Sequence, residues 1–246
     1  FYGQVYFFDS LGAGKLPALF SSFLPFPPVH AMIEVRNEDQ EGGDTMSITL
    51  SLQGCMAVGK TTALRYLEEN VPEVHISCES TARVIAEVRR RGLNKNQYAD
   101  YLEIQRLWIE NEIERWELAR NWPCTVMDFG AEEIEFYTLH YPQSIGCDWA
   151  VEAPLADALA RLRACMPDRI LFLDASAETL RRRKAGDAAR SRTFFEHHLN
   201  HFMPQKRKWF AEKPNTDFLC TDGMTPLQLG QSVRTWVDAC RFGQNL

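Results

Sequence analysis

The stretch Gly54-Cys55-Met56-Ala57-Val58-Gly59-Lys60-Thr61-Thr62 fits the pattern G-x-x-x-x-G-K-[ST] and constrains this chain more than any other feature. The spacing has a mechanical reason. Gly54 and Gly59 let the chain curl so that successive backbone N–H groups point inward at phosphate oxygens, Lys60 adds a point charge, and Thr61 offers its hydroxyl to Mg²⁺. The run Ser47-Ile48-Thr49-Leu50-Ser51-Leu52 before the loop alternates as a strand does, and residues 61–70 after it read as a helix whose positive end faces the same phosphates. Strand, glycine loop and helix in that order argue against a glycine turn that merely precedes a lysine. A similar string at Gly12-Ala13-Gly14-Lys15 has Asp9 in place of the first glycine, Leu16 in place of the hydroxyl residue and Pro17 just beyond, so it is no second phosphate loop.

Beyond the loop the pattern keeps alternating. Strands are expected at 74–78, 125–127, 169–173 and 217–220. Helices are expected at 80–91, 96–121, 132–140, 154–165, 177–184, 194–210 and 226–240. With the first strand this makes five, and strands interleaved with helices over this length imply an α/β fold, a parallel sheet covered by helices on both faces.

The 246 residues divide near Met46. Residues 1–45 carry aromatic and proline clusters without period and end in an acidic, glycine-containing run, which reads as a poorly ordered tail or linker. Residues 46–246 are expected to form one domain. The longest apolar stretch, 16–29, is interrupted by four prolines and is too short for a membrane span, so no membrane partner is expected. Seven cysteines with no C-x-x-C pair suit a reduced, cytoplasmic protein better than a disulfide framework or zinc site. A net charge of −6 argues against a surface built to bind a nucleic-acid polymer.

Other nucleotide-loop classes leave marks that this chain lacks. A GTPase would show D-x-x-G and N-K-x-D, whereas Asn94-Lys95-Asn96-Gln97 has no final Asp. About 200 residues is a lean allowance for an AAA+ module with its helical lid. What remains is a small kinase.

From Ser47 to Val237 the sequence resembles the deoxynucleoside-kinase and thymidylate-kinase group of P-loop kinases. Four landmarks carry the resemblance: the loop at 54–62; Cys78-Glu79-Ser80-Thr81-Ala82-Arg83, an acid after the second strand with an arginine one turn on; Thr125-Val126-Met127-Asp128, an apolar strand ending in Asp; and Arg181-Arg182-Arg183-Lys184 through Arg190-Ser191-Arg192 and Glu196, similar to an arginine-rich lid. Phe129 stands where that group usually carries an arginine, and this leaves the acceptor's identity open. The resemblance implies a P-loop fold, ATP and Mg²⁺ as cofactors, and transfer of the γ-phosphate to a hydroxyl of a nucleoside or nucleoside-like acceptor. Two alternatives stay open: a kinase of another small molecule, such as an antibiotic or metabolite, and an ATP-binding regulatory module that transfers nothing.

Phosphoryl transfer needs cations around the γ-phosphate, a held metal and an acceptor for the hydroxyl proton. The loop residues 54–62 and Arg183 are the candidate nucleotide contacts, and Thr61 and Asp128 the candidate metal holders. Lys60, Glu79, Asp128, Arg190 and Arg192 are the candidate catalytic groups. Glu79 is a base or substrate anchor, or else a carboxylate placed on a helix dipole; Asp128 holds the metal or serves as base, or else is structural. Arg83, four residues after Glu79, either pairs with it or touches substrate. Lys206-Arg207-Lys208 reads as surface. Thr221-Asp222-Gly223 resembles the turn beside adenine in related kinases. Tyr98, Tyr101, Gln105 and Trp108 of the long acidic helix are candidate pocket residues, and that helix is a candidate homodimer face. Cys55 is either an oxidation-sensitive thiol or a bystander. Charge is polarised within the domain, −7 over 100–135 and +7 over 161–208, which places a basic lid where an anionic nucleotide would sit.

Overall fold

A computed structural model describes residues 47–186 and 192–243, with the backbone alone for 192–194. The expected tail 1–45 and Arg190 lie outside the described residues. So does the centre of the expected lid.

The alternating run forms β1 (Ile48–Gly54), whose Leu50 and Leu52 are wholly buried. The helix α1 (Lys60–Asn70) follows, then β2 (His75–Ser77), α2 (Ala82–Arg91), α3 (Tyr98–Ala119), β3 (Cys124–Asp128) and α4 (Ala131–Ser144). A 3-10 turn at Ala153–Leu155 leads into α5 (Ala156–Arg163), because Pro154 at the helix entrance has no N–H to lose there. After β4 (Arg169–Asp174) and α6 (Ala177–Ala185), the helix expected over 194–210 is broken in three. It runs as α7 (Arg192–His197), a π-helical turn over His198–Phe202, and α8 (Met203–Ala211). β5 (Thr216–Cys220) and α9 (Pro226–Phe242) complete the chain, the latter opened by a capping box in which Thr225 and Gln228 bond each other's backbone N–H.

All five strands are parallel, in the order β2-β3-β1-β4-β5. One cluster of buried residues gathers Leu50, Leu52, Val126 and Phe172 of the sheet with Leu64 and Leu67 of α1 and Val233 and Trp236 of α9. A second gathers Tyr101, Trp108 and Ile109 of α3 with Phe136 of α4 and Leu159 and Leu162 of α5. Each such fully buried side chain contributes about 1.5–3 kcal/mol of transfer free energy. A parallel sheet sends all its carboxyl ends to one edge, so Gly54, Ser77, Asp128, Asp174 and Cys220 converge there, where open α/β sheets bind ligands. No helix among the described residues is long and apolar enough to cross a membrane.

Candidate active site

The loop between β1 and α1 owes its shape to two glycines. Gly54 has φ +133°, and a Cβ there would meet the carbonyl oxygen of Leu173 at 2.2 Å; Gly59 has φ +115°, and a Cβ would meet Leu229 Cδ2 at 2.4 Å. Both conformations strain any L side chain. Cys55, Met56 and Val58 turn their side chains into the core. No side chain caps the start of α1, and its first turn holds no acid, so its free N–H groups keep their affinity for an anion. Lys60 is buried and donates to the Gly54 carbonyl at 3.1 Å. Burial pulls its ammonium below the ordinary lysine range, with the Asp128 charge opposing the shift. Thr61 is half-buried and Thr62 exposed.

Glu79 stands two residues past β2, and Asp128 is the last residue of the neighbouring strand β3. Both are half-buried, and among the described residues Glu79 Oε2 and Asp128 Oδ1 are sequestered from solvent with no hydrogen-bond partner. Burial, then the Asp128 charge, pushes the Glu79 carboxyl well above the usual range, and Arg115 pulls it back. Oxygen atoms buried without a partner are costly unless a ligand completes them. The corner after Asp128 is fixed by Glu132, whose Oε1 accepts from Ser51 Oγ, from Gln53 Nε2 at 2.6 Å and from the Gly130 N–H at 2.9 Å.

On the other side of the loop, Arg183 donates to the Val58 carbonyl at 3.0 Å, to Thr221 Oγ1 at 2.9 Å and to the Thr221 carbonyl at 2.6 Å. The turn Thr221-Asp222-Gly223 therefore does lie against the loop. Asp222 accepts from the backbone N–H and hydroxyl of Ser176, the N-cap of α6. Arg181 pairs with Glu196 at 2.9 Å, joining α6 to α7 across 187–191. Arg192 opens α7.

Several expectations need correction. Arg83 pairs with Glu114 of α3 at 2.6 Å rather than with Glu79, which lies in the loop before α2 begins at Ala82 and so is not its i−4 neighbour on a helix. Tyr101, Gln105 and Trp108 are core residues: the Tyr101 hydroxyl donates to the Thr138 carbonyl at 3.0 Å, and Gln105 accepts from the Thr138 hydroxyl at 2.9 Å. Only Tyr98 of that group is exposed, and it donates to the Ala150 carbonyl. Much of the apolar stripe of α3, offered as a dimer face, is buried inside the chain, whereas Leu118 stays exposed and Leu107 and Trp116 are half-buried. Lys206 is not surface but wholly buried, ion-paired to Glu133 at 2.6 Å, and Arg207 forks onto Asp174 at 2.8–3.1 Å. The π turn sets His198 3.5 Å from Cys55 Sγ. Burial pushes the Cys55 thiol up to about 11, so the structure supports the bystander reading for it.

A glycine-rich loop at the carboxyl edge of a parallel sheet, closed by a buried lysine and flanked by acids on one side and arginine on the other, defines a P-loop nucleotide-binding fold. The profile of a family described as an AAA domain matches residues 50–206, and the chain belongs to that family. The match removes the length-based argument against such a module. Among solved structures, thymidylate kinase from Candida albicans is similar at TM-score 0.55 and 15% identity, over 80% of this chain and 93% of that one. A deoxyadenosine kinase from M. mycoides, solved with the products dCMP and dCDP, is similar at TM-score 0.58 and 11% identity, over 78% of this chain and all of that one. These likenesses bear out the P-loop kinase fold. A comparison with curated proteins finds no match.

Proposed function

We propose that residues 46–246 form a kinase that moves the γ-phosphate of ATP to a hydroxyl of a small molecule, a nucleoside or nucleoside-like compound. One observation carries the reading: the anion-binding loop and Lys60 lie between two carboxylates with unpartnered oxygens, Glu79 and Asp128, and the Arg183–Thr221 side. The first element takes phosphates and the second takes an acceptor hydroxyl with its proton.

Mg²⁺ suits the donors present, since Thr61 offers a hydroxyl and Asp128 an unpartnered carboxylate oxygen, both hard ligands. When bound, the metal would neutralise phosphate charge. Lys60 then holds the β/γ-phosphates, Glu79 orients the acceptor hydroxyl and takes its proton, and Arg183, Arg190 and Arg192 supply charge from the lid side.

The charge balance favours an uncharged acceptor. Arg115 is committed to Glu112, the Ser77 carbonyl and the Phe129 carbonyl, so this cation beside Glu79 and Asp128 is already spent. A phosphorylated acceptor would meet two carboxylates. Phe129, buried with the Arg115 guanidinium 5.4 Å from its ring centre, offers no charge to substrate, which keeps a non-nucleoside alcohol in view as acceptor.

Radiolabelled ATP with matched nucleosides, nucleoside monophosphates and other hydroxylated small molecules tests the proposal. Label is expected on a neutral alcohol. Tight ATP binding with no transfer to any acceptor would overturn the enzyme reading in favour of a sensor, and preferential transfer to monophosphates would overturn the acceptor class.

A further inference from the structure

We infer that Arg115 is a positioning residue that fixes the separation of Glu79 and Asp128, an inference that rests on the kinase reading of this site. On α3, Trp108, Glu112, Arg115 and Ala119 recur at intervals of three and four and are all buried, so a glutamate and an arginine occupy the apolar stripe. A guanidinium taken out of water needs its donors satisfied. Arg115 places Nε and Nη2 each 2.9 Å from a Glu112 oxygen, in a two-pronged pair whose side chains keep only 8% and 3% of their surface. That leaves the outer donors for the sheet. Nη1 donates to the Ser77 carbonyl at 3.1 Å and Nη2 to the Phe129 carbonyl at 2.6 Å.

Those two carbonyls frame the candidate base and metal holder. Ser77 ends β2 two residues before Glu79, and Phe129 follows Asp128 directly. One rigid fork therefore spans the two chain ends from which both carboxylates hang. The same helix makes two further contacts just past Glu79: Asn111 Nδ2 donates to the Ser80 carbonyl of the loop at 3.0 Å, and Glu114 pairs with Arg83 in the first turn of α2. Charge acts in the same direction as geometry. Glu79 and Asp128 repel, Glu112 and Glu133 add to the repulsion at Glu79, and the Arg115 charge offsets it. β2 is only three residues long and half-exposed, too little strand to fix the Glu79 loop by itself. Lysine could supply the charge but not a planar fork reaching two carbonyls and a carboxylate at once.

The test compares wild type with Arg115→Lys and with the double variant Arg115→Met/Glu112→Leu, which removes the buried pair together and so avoids stranding a charge. Thermal unfolding and binding of a fluorescent ATP analogue check the fold and the phosphate loop, and both are expected to stay close to wild type in the double variant. Turnover with saturating acceptor is expected to fall about 10²-fold in both variants, the loss typical of a misplacement near 1 Å. A double variant that folds, binds ATP and keeps wild-type turnover would overturn the inference and leave Arg115 a packing residue. If the wild type itself phosphorylates nothing, the kinase reading fails, and crystal structures of wild type and double variant decide the positioning claim instead. Displaced Glu79 and Asp128 carboxyls support it, and unchanged ones overturn it.

Discussion

Lys206 Nζ lies 2.6 Å from Glu133 Oε2, and the two side chains keep 0% and 3% of their surface. The pair joins α8 to the first turn of α4, and the ammonium also sits 5.7–6.0 Å from the ring centres of Phe136, Tyr137 and Phe210. It lies close enough to bias the charge of Lys60 and Cys55 in the phosphate loop. A buried pair of this kind tolerates joint replacement far better than the loss of one member, because the survivor is left as an uncompensated charge.

Lys206→Met is therefore expected to cost about 3–5 kcal/mol of unfolding free energy, and Lys206→Met/Glu133→Leu to recover most of it. Urea unfolding of the three proteins measures both numbers. A single variant as stable as wild type would mean that the pair is solvated in solution.

The two loop glycines should differ in kind. At Gly54 a methyl group meets a backbone carbonyl of β4 that the sheet holds rigid, whereas at Gly59 it meets the end of a leucine side chain. Both substitutions add left-handed strain of about 1–3 kcal/mol. Gly54→Ala is expected to abolish ATP binding and lower the melting temperature, while Gly59→Ala is partly rescued by Leu229→Ala. ATP titration and thermal melts on Gly54→Ala, Gly59→Ala and Gly59→Ala/Leu229→Ala would show it; equal damage at both positions, unrelieved at Leu229, contradicts the steric account.

Strand and helix order was legible because apolar alternation and the glycine loop are local signals, and each expected element except the helix over 194–210 has a single counterpart within a few residues. The buried charges were not, since a lysine or arginine in an acidic or basic stretch reads as solvated. Yet the signal was present. Phe202, Met203, Lys206 and Phe210 share one helical stripe, as do Trp108, Glu112, Arg115 and Ala119, and only the stripe position separates Lys206 from the exposed Lys208 two residues on. Arg83 shows the reverse limit: its i−4 neighbour was visible in sequence, while its partner Glu114 comes from another helix and depends on tertiary packing. The break around His198 did leave a mark just downstream: Pro204, in the first turn of α8, has no N–H to give the Asn200 carbonyl inside the π turn.

Lys60 and Glu79 separate binding from transfer. Lys60→Ala is expected to lower turnover by about 10²–10³-fold beyond its loss of ATP affinity, because its charge is most needed as the γ-phosphate leaves. Glu79→Gln should cost about 10²–10⁴-fold with ATP affinity intact. Steady-state kinetics beside direct ATP titration decides. A Glu79→Gln enzyme with unchanged turnover would pass the base role to Asp128, where Asp128→Asn is the next variant to measure.

Cys55 should be inert despite its place in the loop. Its thiol is pushed up to about 11 by burial, so near pH 8 almost none is thiolate, while Cys220 is exposed. Iodoacetamide near that pH, read by peptide mass spectrometry, is expected to label Cys220 and spare Cys55 in the folded protein. Rapid labelling of Cys55 would show that the loop opens in solution.

His198 gives stability a pH dependence of definite sign. Burial first, then the charges of Lys206 and Lys60, holds its imidazole well below the ordinary histidine range, which centres near about 6.5. The unfolded chain binds a proton as pH falls through about 6.5 and the folded chain does not, so this group's contribution is complete above that pH and is lost below it. Glu79, Glu112 and Glu132 act oppositely: burial raises their carboxyls, so their contribution is complete at low pH and lost as pH rises. The informative quantity is therefore the difference between wild type and His198→Asn. Between about pH 7 and 5 the wild type should lose melting temperature more steeply than the variant, whatever the offset between the two curves. Parallel curves would mean that His198 is protonated in the folded protein or reaches solvent, and that the contact with Cys55 does not hold it in the core.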